Sequence, residues 1–251
     1  MLFQVNTIPH LFIFETVCMT SVTLILLPFA GAGRNAYKEF SGNLPENIAV
    51  SPVELPGRGS RYHEELLISL DEMVEDIYEQ IRPRLNQPYA IYGHSMGAIL
   101  GYLLTKKITS NNINPPVHLF FTGRGGPSCR RSRIDIHKLP FDHFIERVRF
   151  YGGLPAEILD NKKYISFFEP ILRADFQAVE NYFYKASPPL TIPVTVAIGM
   201  DDTVTQEEAE SWQQETTAGF ELIQFPGDHF FIFKNQPTLM QLITNKLLTT
   251  L

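Results

Sequence analysis

Cysteine is almost absent. Only Cys18 and Cys129 occur among 251 residues, far apart and at no metal-ligand spacing. That excludes a disulfide framework and a cysteine-held metal, and two free thiols fit a reducing, cytoplasmic compartment. A basic surplus is missing too: 21 Lys and Arg face 27 Asp and Glu, for a net charge of −6. Nucleic acid is therefore excluded as the main partner, since no excess cation exists to neutralise phosphates. No apolar run is long enough to span a membrane; the apolar residues 2–18 are broken by Pro9. No cationic region precedes that run and no small-residue cleavage site follows it, which argues against a signal peptide. It reads either as an extra edge strand or as residues upstream of a start at Met19, with the second favoured. Internal repeats and low-complexity tracts are also lacking.

What is present is the composition of a globular chain, 44% hydrophobic and 19% charged. Its length suits one α/β domain over 1–251 with a full core. Strand-like runs are readable at Val22 to Leu27, Ile48 to Glu54, Tyr89 to Tyr92, Leu119 to Thr122, Val194 to Ile198 and Glu221 to Phe225. Helical patterns are readable at Leu70 to Leu85, Ala98 to Thr109, Gln206 to Thr216 and Pro237 to Leu248. Alternation of this kind predicts a mostly parallel sheet with helices on both faces.

Gly93-His94-Ser95-Met96-Gly97 is the most informative fragment. It joins a strand to a helix, and the small residues flanking Ser95 suit a sharp turn that exposes a nucleophilic hydroxyl. A serine hydroxyl needs a base, an orienting acid and oxyanion donors. His229 follows Pro226-Gly227 at the end of the last strand and is the candidate base. Asp202 follows the Gly-terminated strand 194–199 and is the candidate acid, with Asp201 as a rival that spacing alone does not separate. The candidate oxyanion donors are the amides of Met96 and of Ala30 in Pro28-Phe29-Ala30-Gly31-Ala32-Gly33, with Phe29 as the alternative to Ala30. Each fragment alone has a plainer reading: a chance turn, a surface histidine, the start of the acidic helix at Glu207, a tight Gly-rich turn. A phosphate loop is disfavoured because no Gly-Lys-Ser/Thr follows. The order Ser, acid, His, each just beyond a strand's carboxyl end, is what joins the fragments.

Residues from about 133 to 187 break the alternation. They read as helices at Phe141 to Tyr151, Glu157 to Leu159 and Phe167 to Tyr184, around a Gly152-Gly153-Leu154-Pro155 turn. An insertion there covers the serine as a lid. Its aromatics Phe141, Phe144, Phe150, Tyr164, Phe167, Phe168, Phe176, Tyr182, Phe183 and Tyr184 either line an acyl channel or, for more than half of them, glue lid to body.

From about Val22 onward the sequence resembles the stand-alone type II thioesterases of nonribosomal peptide and polyketide synthesis, of α/β-hydrolase fold. The resemblance rests on Leu27-Pro28-Phe29-Ala30-Gly31-Ala32, Glu54-Leu55-Pro56-Gly57-Arg58-Gly59-Ser60-Arg61, the Ser95 pentapeptide, Gly152-Gly153-Leu154-Pro155, Pro170-Ile171-Leu172-Arg173-Ala174-Asp175-Phe176 and Phe225-Pro226-Gly227-Asp228-His229-Phe230-Phe231. It implies Ser95 as nucleophile, His229 as base and, of the paired acids, Asp202. Two departures are visible: Asp228 stands where glycine is commoner, beside the base, and Thr122-Gly123-Arg124-Gly125-Gly126 is a looser Ser-Gly-Arg segment.

The resemblance further implies an editing thioesterase that clears acyl or aminoacyl groups from the phosphopantetheine arm of a carrier protein. Neither cofactor nor metal is expected, and the chain is expected to act as a cytoplasmic monomer. Carrier proteins are usually acidic, so docking is expected at a local patch near Arg124 and Arg130. The alternatives are a medium-chain acyl-carrier or acyl-CoA thioesterase, a small-molecule carboxylesterase, or a non-catalytic binding module of the same fold.

Overall fold

The computed structural model describes residues 21–129 and 135–249. The expectations for residues 1–18 and Met19, and that for Arg130, lie outside the described residues.

Six strands form one sheet: β1 (Val22–Leu27), β2 (Ile48–Pro52), β3 (Tyr89–His94), β4 (Leu119–Thr122), β5 (Val194–Gly199) and β6 (Phe220–Phe225). Their order is β2-β1-β3-β4-β5-β6, and every pairing is parallel. Period-two alternation sends Ile25, Leu27, Tyr89, Ile91, Leu119 and Phe121 to one face, while Val22, Leu24, Leu26, Ala90, Tyr92 and Phe120 take the other. Both faces are covered, so the strands read as nearly continuous apolar runs.

On the first face lie α1 (Leu70–Ile81) and α2 (Met96–Ser110). Helix α1 buries Leu70, Met73, Val74, Ile77, Tyr78 and Ile81, a single stripe at helical spacing. Helix α2 is pressed between α1 and the sheet and buries residues nearly all round. The second face is covered by a carboxyl-terminal helix, Gln236–Leu248, through Leu239, Met240, Ile243 and Leu247.

Between β4 and β5 the described chain is helical: α3 (Phe141–Tyr151), α4 (Ala156–Leu159) and α5 (Lys162–Glu180). This insertion has an apolar cluster of its own around Phe144, Ile145, Val148, Ile165 and Leu172. After β5 come the short α6 (Gln206–Glu210), a 3₁₀ turn, α7 (Phe231–Lys234) and α8, the carboxyl-terminal helix already placed.

Several boundaries differ from expectation for local reasons. Helix α5 starts at Lys162 rather than Phe167, because the Asn161 side chain accepts from the Lys163 and Tyr164 amides and caps it. It ends at Glu180, four residues short of the expected Tyr184. Helix α6 is a single capped turn, Thr205 and Glu208 forming a reciprocal box, and the rest of the expected helix tightens to 3₁₀. Strand β2 ends at Pro52, and Glu54 turns its carboxylate onto the Arg34 and Ser60 amides.

The winding sense reverses between β1 and β3. The chain leaves β1 for β2 at one edge, crosses back to β3, then steps outward to β6. The carboxyl ends of adjacent β1 and β3 therefore diverge into a crevice, the usual ligand position in such sheets.

One buried histidine of the core carries a pH consequence. His118 stacks on Phe120 at 4.3 Å and shares a 2.9 Å hydrogen bond with Thr195. Burial, then the Lys246 charge, pushes its imidazole down to about 4, against a weaker pull from Glu221. Below its unfolded value of about 6.5 the unfolded chain takes up a proton that the native state refuses. Stability from this group is thus lost as pH falls from about 6.5 toward 4, with a limiting slope of about 1.4 kcal/mol per pH unit. Urea unfolding at a series of pH values should show a slope of at least that size, and His118→Asn should reduce it by this group's share, leaving that of the other buried histidine, His94.

Candidate active site

Ser95 sits between β3 and α2 with φ 53° and ψ −111°. A left-handed backbone is unusual for a residue with a side chain and is held here by close packing on both sides. A Cβ on Gly93 would lie 2.1 Å from the Gly97 carbonyl oxygen, and one on Gly97 would lie 2.8 Å from the Leu27 carbonyl oxygen. The pentapeptide's two glycines are therefore required by backbone contact. The Ser95 amide donates to the Thr122 carbonyl at 2.8 Å, which ties the turn to β4.

The last two strands carry the partners to the same end of the sheet. The Met200 amide bonds the Phe225 carbonyl and the Asp201 amide bonds the Gly227 carbonyl, so the loop after β5 and the loop after β6 are laced together. His229 then places Nε2 3.1 Å from Ser95 Oγ. Its Nδ1 lies 2.9 Å from Asp202 Oδ2 and 3.1 Å from Oδ1. With the Nδ1 proton donated to Asp202, Nε2 is left to accept from the Ser95 hydroxyl. Asp201 points to solvent. Geometry thus brings Ser95, His229 and Asp202 into one line and leaves Asp201 outside it.

Burial alone would raise the Asp202 carboxyl. The hydrogen bonds from His229, together with those of the Val204 and Thr203 amides, outweigh it and hold the group below the usual carboxylate range. Asp228, beside the base, faces away: its carboxylate accepts from Lys234 at 2.8 Å and from the Phe230 amide at 3.1 Å.

In the loop after β1 the Ala32 amide closes a turn onto the Phe29 carbonyl, and the Gly31 amide is engaged by Asp175. The Ala30 and Met96 amides donate to no carbonyl among the described residues, and both residues line the cavity that opens at Ser95. Phe29 contributes its ring, edge-on to His94 at 5.8 Å and to Phe230 at 5.1 Å.

That cavity measures about 800 Å³ and runs under the helical insertion. Phe168, Phe176, Tyr182, Phe183 and Tyr184 line it, with Leu154, Leu172 and the unanticipated Tyr151 and Phe230. The expectation that most insertion aromatics glue it to the body is corrected: Phe141, Phe150, Tyr164 and Phe167 face solvent, and Phe144 is buried within the insertion itself. Arg124, expected at a docking patch near the lid, lines this cavity.

His94 was readable only as part of the pentapeptide. Its ring is fully buried 4.9 Å from that of His229, and Nδ1 pairs with Thr122 Oγ1, which also meets Tyr92 Oη. Burial, then the His229 charge, pushes its imidazole well down, which keeps the His94 ring neutral. Among the described residues Asp135, His137 and Glu180 come close enough to share a metal ion. Glu180 already accepts from the Ile136 amide and pairs with His137, and Asp135 pairs with Lys138, so the cluster is accounted for as a cap on the turn before α3.

A serine on a strained strand-to-helix turn, in line with an imidazole and a carboxylate above a parallel sheet, defines an α/β-hydrolase. Residues 22–247 match the thioesterase domain family, and the chain belongs to it. It is 36% identical over 225 residues to the gramicidin S biosynthesis protein GrsT of Aneurinibacillus migulanus, covering 89% of this chain and 88% of that one. Among solved structures it superposes on ClbQ, from the colibactin NRPS/PKS pathway, with a TM-score of 0.87 and 30% identity over 92% of this chain and 98% of that one. For the RedJ thioesterase of the prodiginine pathway in Streptomyces coelicolor the TM-score is 0.84 at 32% identity, over 90% and 85% of the two chains.

The two neighbouring acids provide a direct test of the geometry. Asp202→Asn is expected to lower kcat by several orders of magnitude, on the order of 10⁴ by analogy with serine proteases, because the imidazole loses its tautomer and its counter-charge. Asp201→Asn, at an exposed position, should stay within about threefold of the parent in the same thioester assay. Equal losses would remove Asp202 from the line.

Proposed function

We propose that this chain is a stand-alone editing thioesterase that hydrolyses acyl and aminoacyl thioesters on the phosphopantetheine arm of carrier proteins in nonribosomal peptide or polyketide synthesis. The observation that carries the reading is the hydrogen-bonded line Ser95–His229–Asp202 opening beside the Ala30 and Met96 amides into a large, mostly apolar cavity. Membership of the thioesterase family and likeness to GrsT, ClbQ and RedJ support the class of pathway.

In this reading Ser95 Oγ attacks the thioester carbonyl carbon as its proton passes to His229 Nε2. The Met96 amide, at the start of α2, and the Ala30 amide hold the oxyanion. Asp202 keeps the imidazole oriented and stabilises its charge. Collapse expels the pantetheine thiolate, which takes the proton from His229, and leaves an acyl-serine. Water, deprotonated by His229, then attacks the acyl carbon, and the proton returns to Ser95 as the acid departs. No cofactor or metal enters any step.

The helical insertion acts as the lid of one hydrolase domain, roofing the cavity with Leu154, Phe168, Leu172 and Phe176 against the acyl group. Arg124 at the cavity wall is suited to the phosphate of the arm. No described helix is long and apolar enough to cross a membrane, in keeping with a carrier-borne rather than a lipid-embedded substrate.

Ser95→Ala should abolish release of acetyl and short acyl groups from acyl-carrier protein, followed by mass spectrometry of the arm. The parent should prefer carrier-bound to coenzyme A-bound acyls. Turnover of simple esters far above thioesters would replace this reading with a carboxylesterase, and a preference for coenzyme A-bound medium chains with a fatty acyl thioesterase.

A further inference from the structure

Two fully buried, oppositely charged side chains lie beside the oxyanion loop without touching the serine, histidine or aspartate of the site. Arg58, in the loop after β2, and Asp175, in α5, are 3% and 0% exposed. They form a bidentate pair, Nη1 to Oδ2 at 2.7 Å and Nη2 to Oδ1 at 2.8 Å. Such a pair is expensive to bury, and replacing it by apolar residues of similar volume is often neutral or stabilising, so stability alone explains its presence poorly.

Its remaining hydrogen bonds all converge on one loop. Asp175 Oδ2 also accepts from the Gly31 amide at 2.7 Å, and Arg58 Nη1 donates to the Ala32 carbonyl at 3.3 Å. A little further on, the Arg34 amide is held by Glu54 at 3.0 Å. Gly31 has φ +80°, and a Cβ there would lie 2.6 Å from Leu172, one turn before Asp175 on α5. Helix α5 therefore rests directly on the residue that follows Ala30.

The Gly31 N–H belongs to the peptide unit that joins Ala30 to Gly31. Fixing that plane restrains ψ of Ala30 and φ of Gly31, the second of which glycine would otherwise leave soft, and so steadies the chain one peptide unit from the Ala30 N–H. A charge-assisted bond to a carboxylate is strong enough for that task, and the Arg58 fork prevents the carboxylate from turning away.

We infer that Arg58 and Asp175 are positioning residues of the oxyanion hole: Asp175 clamps the Ala30–Gly31 peptide so that the Ala30 amide faces the reacting carbonyl, and Arg58 holds the clamp. The inference rests on Ala30 serving as an oxyanion donor in the function proposed above. It also makes seating of α5 and assembly of the hole a single event, since the clamp reaches across from the helical insertion to the β1 loop.

The test compares two neutral double variants with the parent on one carrier-bound acyl thioester. Arg58→Met/Asp175→Leu removes charge and acceptor together, and Arg58→Gln/Asp175→Asn removes the charges but keeps a carbonyl oxygen for Gly31. The apolar pair should fold, lose about ten- to a hundredfold in kcat with KM within threefold, and bind a trifluoromethyl ketone analogue more weakly by a similar factor. The amide pair should recover most of kcat. In the parent, the Gly31 amide should exchange with deuterium slowly, as expected of an amide hydrogen-bonded to a fully buried carboxylate.

A folded apolar pair with kcat within threefold of the parent, or a loss confined to KM, overturns the inference. Fast exchange at Gly31 in the parent overturns it whether or not either variant folds. A parent inactive on every thioester would instead defeat the proposed function, so the two failures are told apart by the parent alone.

Discussion

Ser95 occupies a backbone conformation that its own side chain disfavours, and the rest of the site is built around that constraint. The turn survives because β3 meets the start of α2 at Gly93, and α2 meets the end of β1 at Gly97, so closely that neither glycine has space for a Cβ. The same closeness sets the first turn of α2, with its unpaired amides, at the cavity that Ser95 and Met96 both line. Strain at one residue is thus offset by packing across several elements. In return the hydroxyl is held above the sheet, 3.1 Å from His229 Nε2.

The parallel topology supplies the remaining geometry. All six strands end on one side, so the loops after β1, β3, β5 and β6 gather there without any long connection doubling back. The reversal at β1 and β3 opens the crevice, and the insertion between β4 and β5 roofs it. Charge is managed on the same principle. His94 stays neutral beside His229, and Asp228 is occupied by Lys234 and the Phe230 amide, so Asp202 is the carboxylate in direct contact with the His229 ring.

Much of this was legible from the linear chain. Apolar strands covered on both faces leave near-continuous hydrophobic runs, and the Ser, acid, His order survives as motifs because each residue sits in a short turn directly after a strand. Element ends were less legible. The start of α5 depends on one Asn161 side chain, the brevity of α6 on a capping box, and the end of β2 on where the Glu54 carboxylate finds donors. The role of the insertion aromatics was misjudged because periodicity shows which side of a helix is apolar, not what lies opposite that side. Phe167 and Phe168 are neighbours in sequence, yet one is exposed and the other lines the cavity.

By itself the sequence determined the sheet's strands, the elbow and the order of the candidate site residues, since these are local patterns carried by a few adjacent positions. Spacing left Asp202 and Asp201 level, and the resemblance favoured Asp202; tertiary structure put Asp202 against the imidazole, set the neutral His94 beside it, and joined Arg58 to Asp175 across 117 positions of chain. The physical reason is range. A turn or a strand is specified by backbone torsions of consecutive residues, whereas a hydrogen bond between distant side chains exists only after the loops that carry them have been brought to one end of the same sheet.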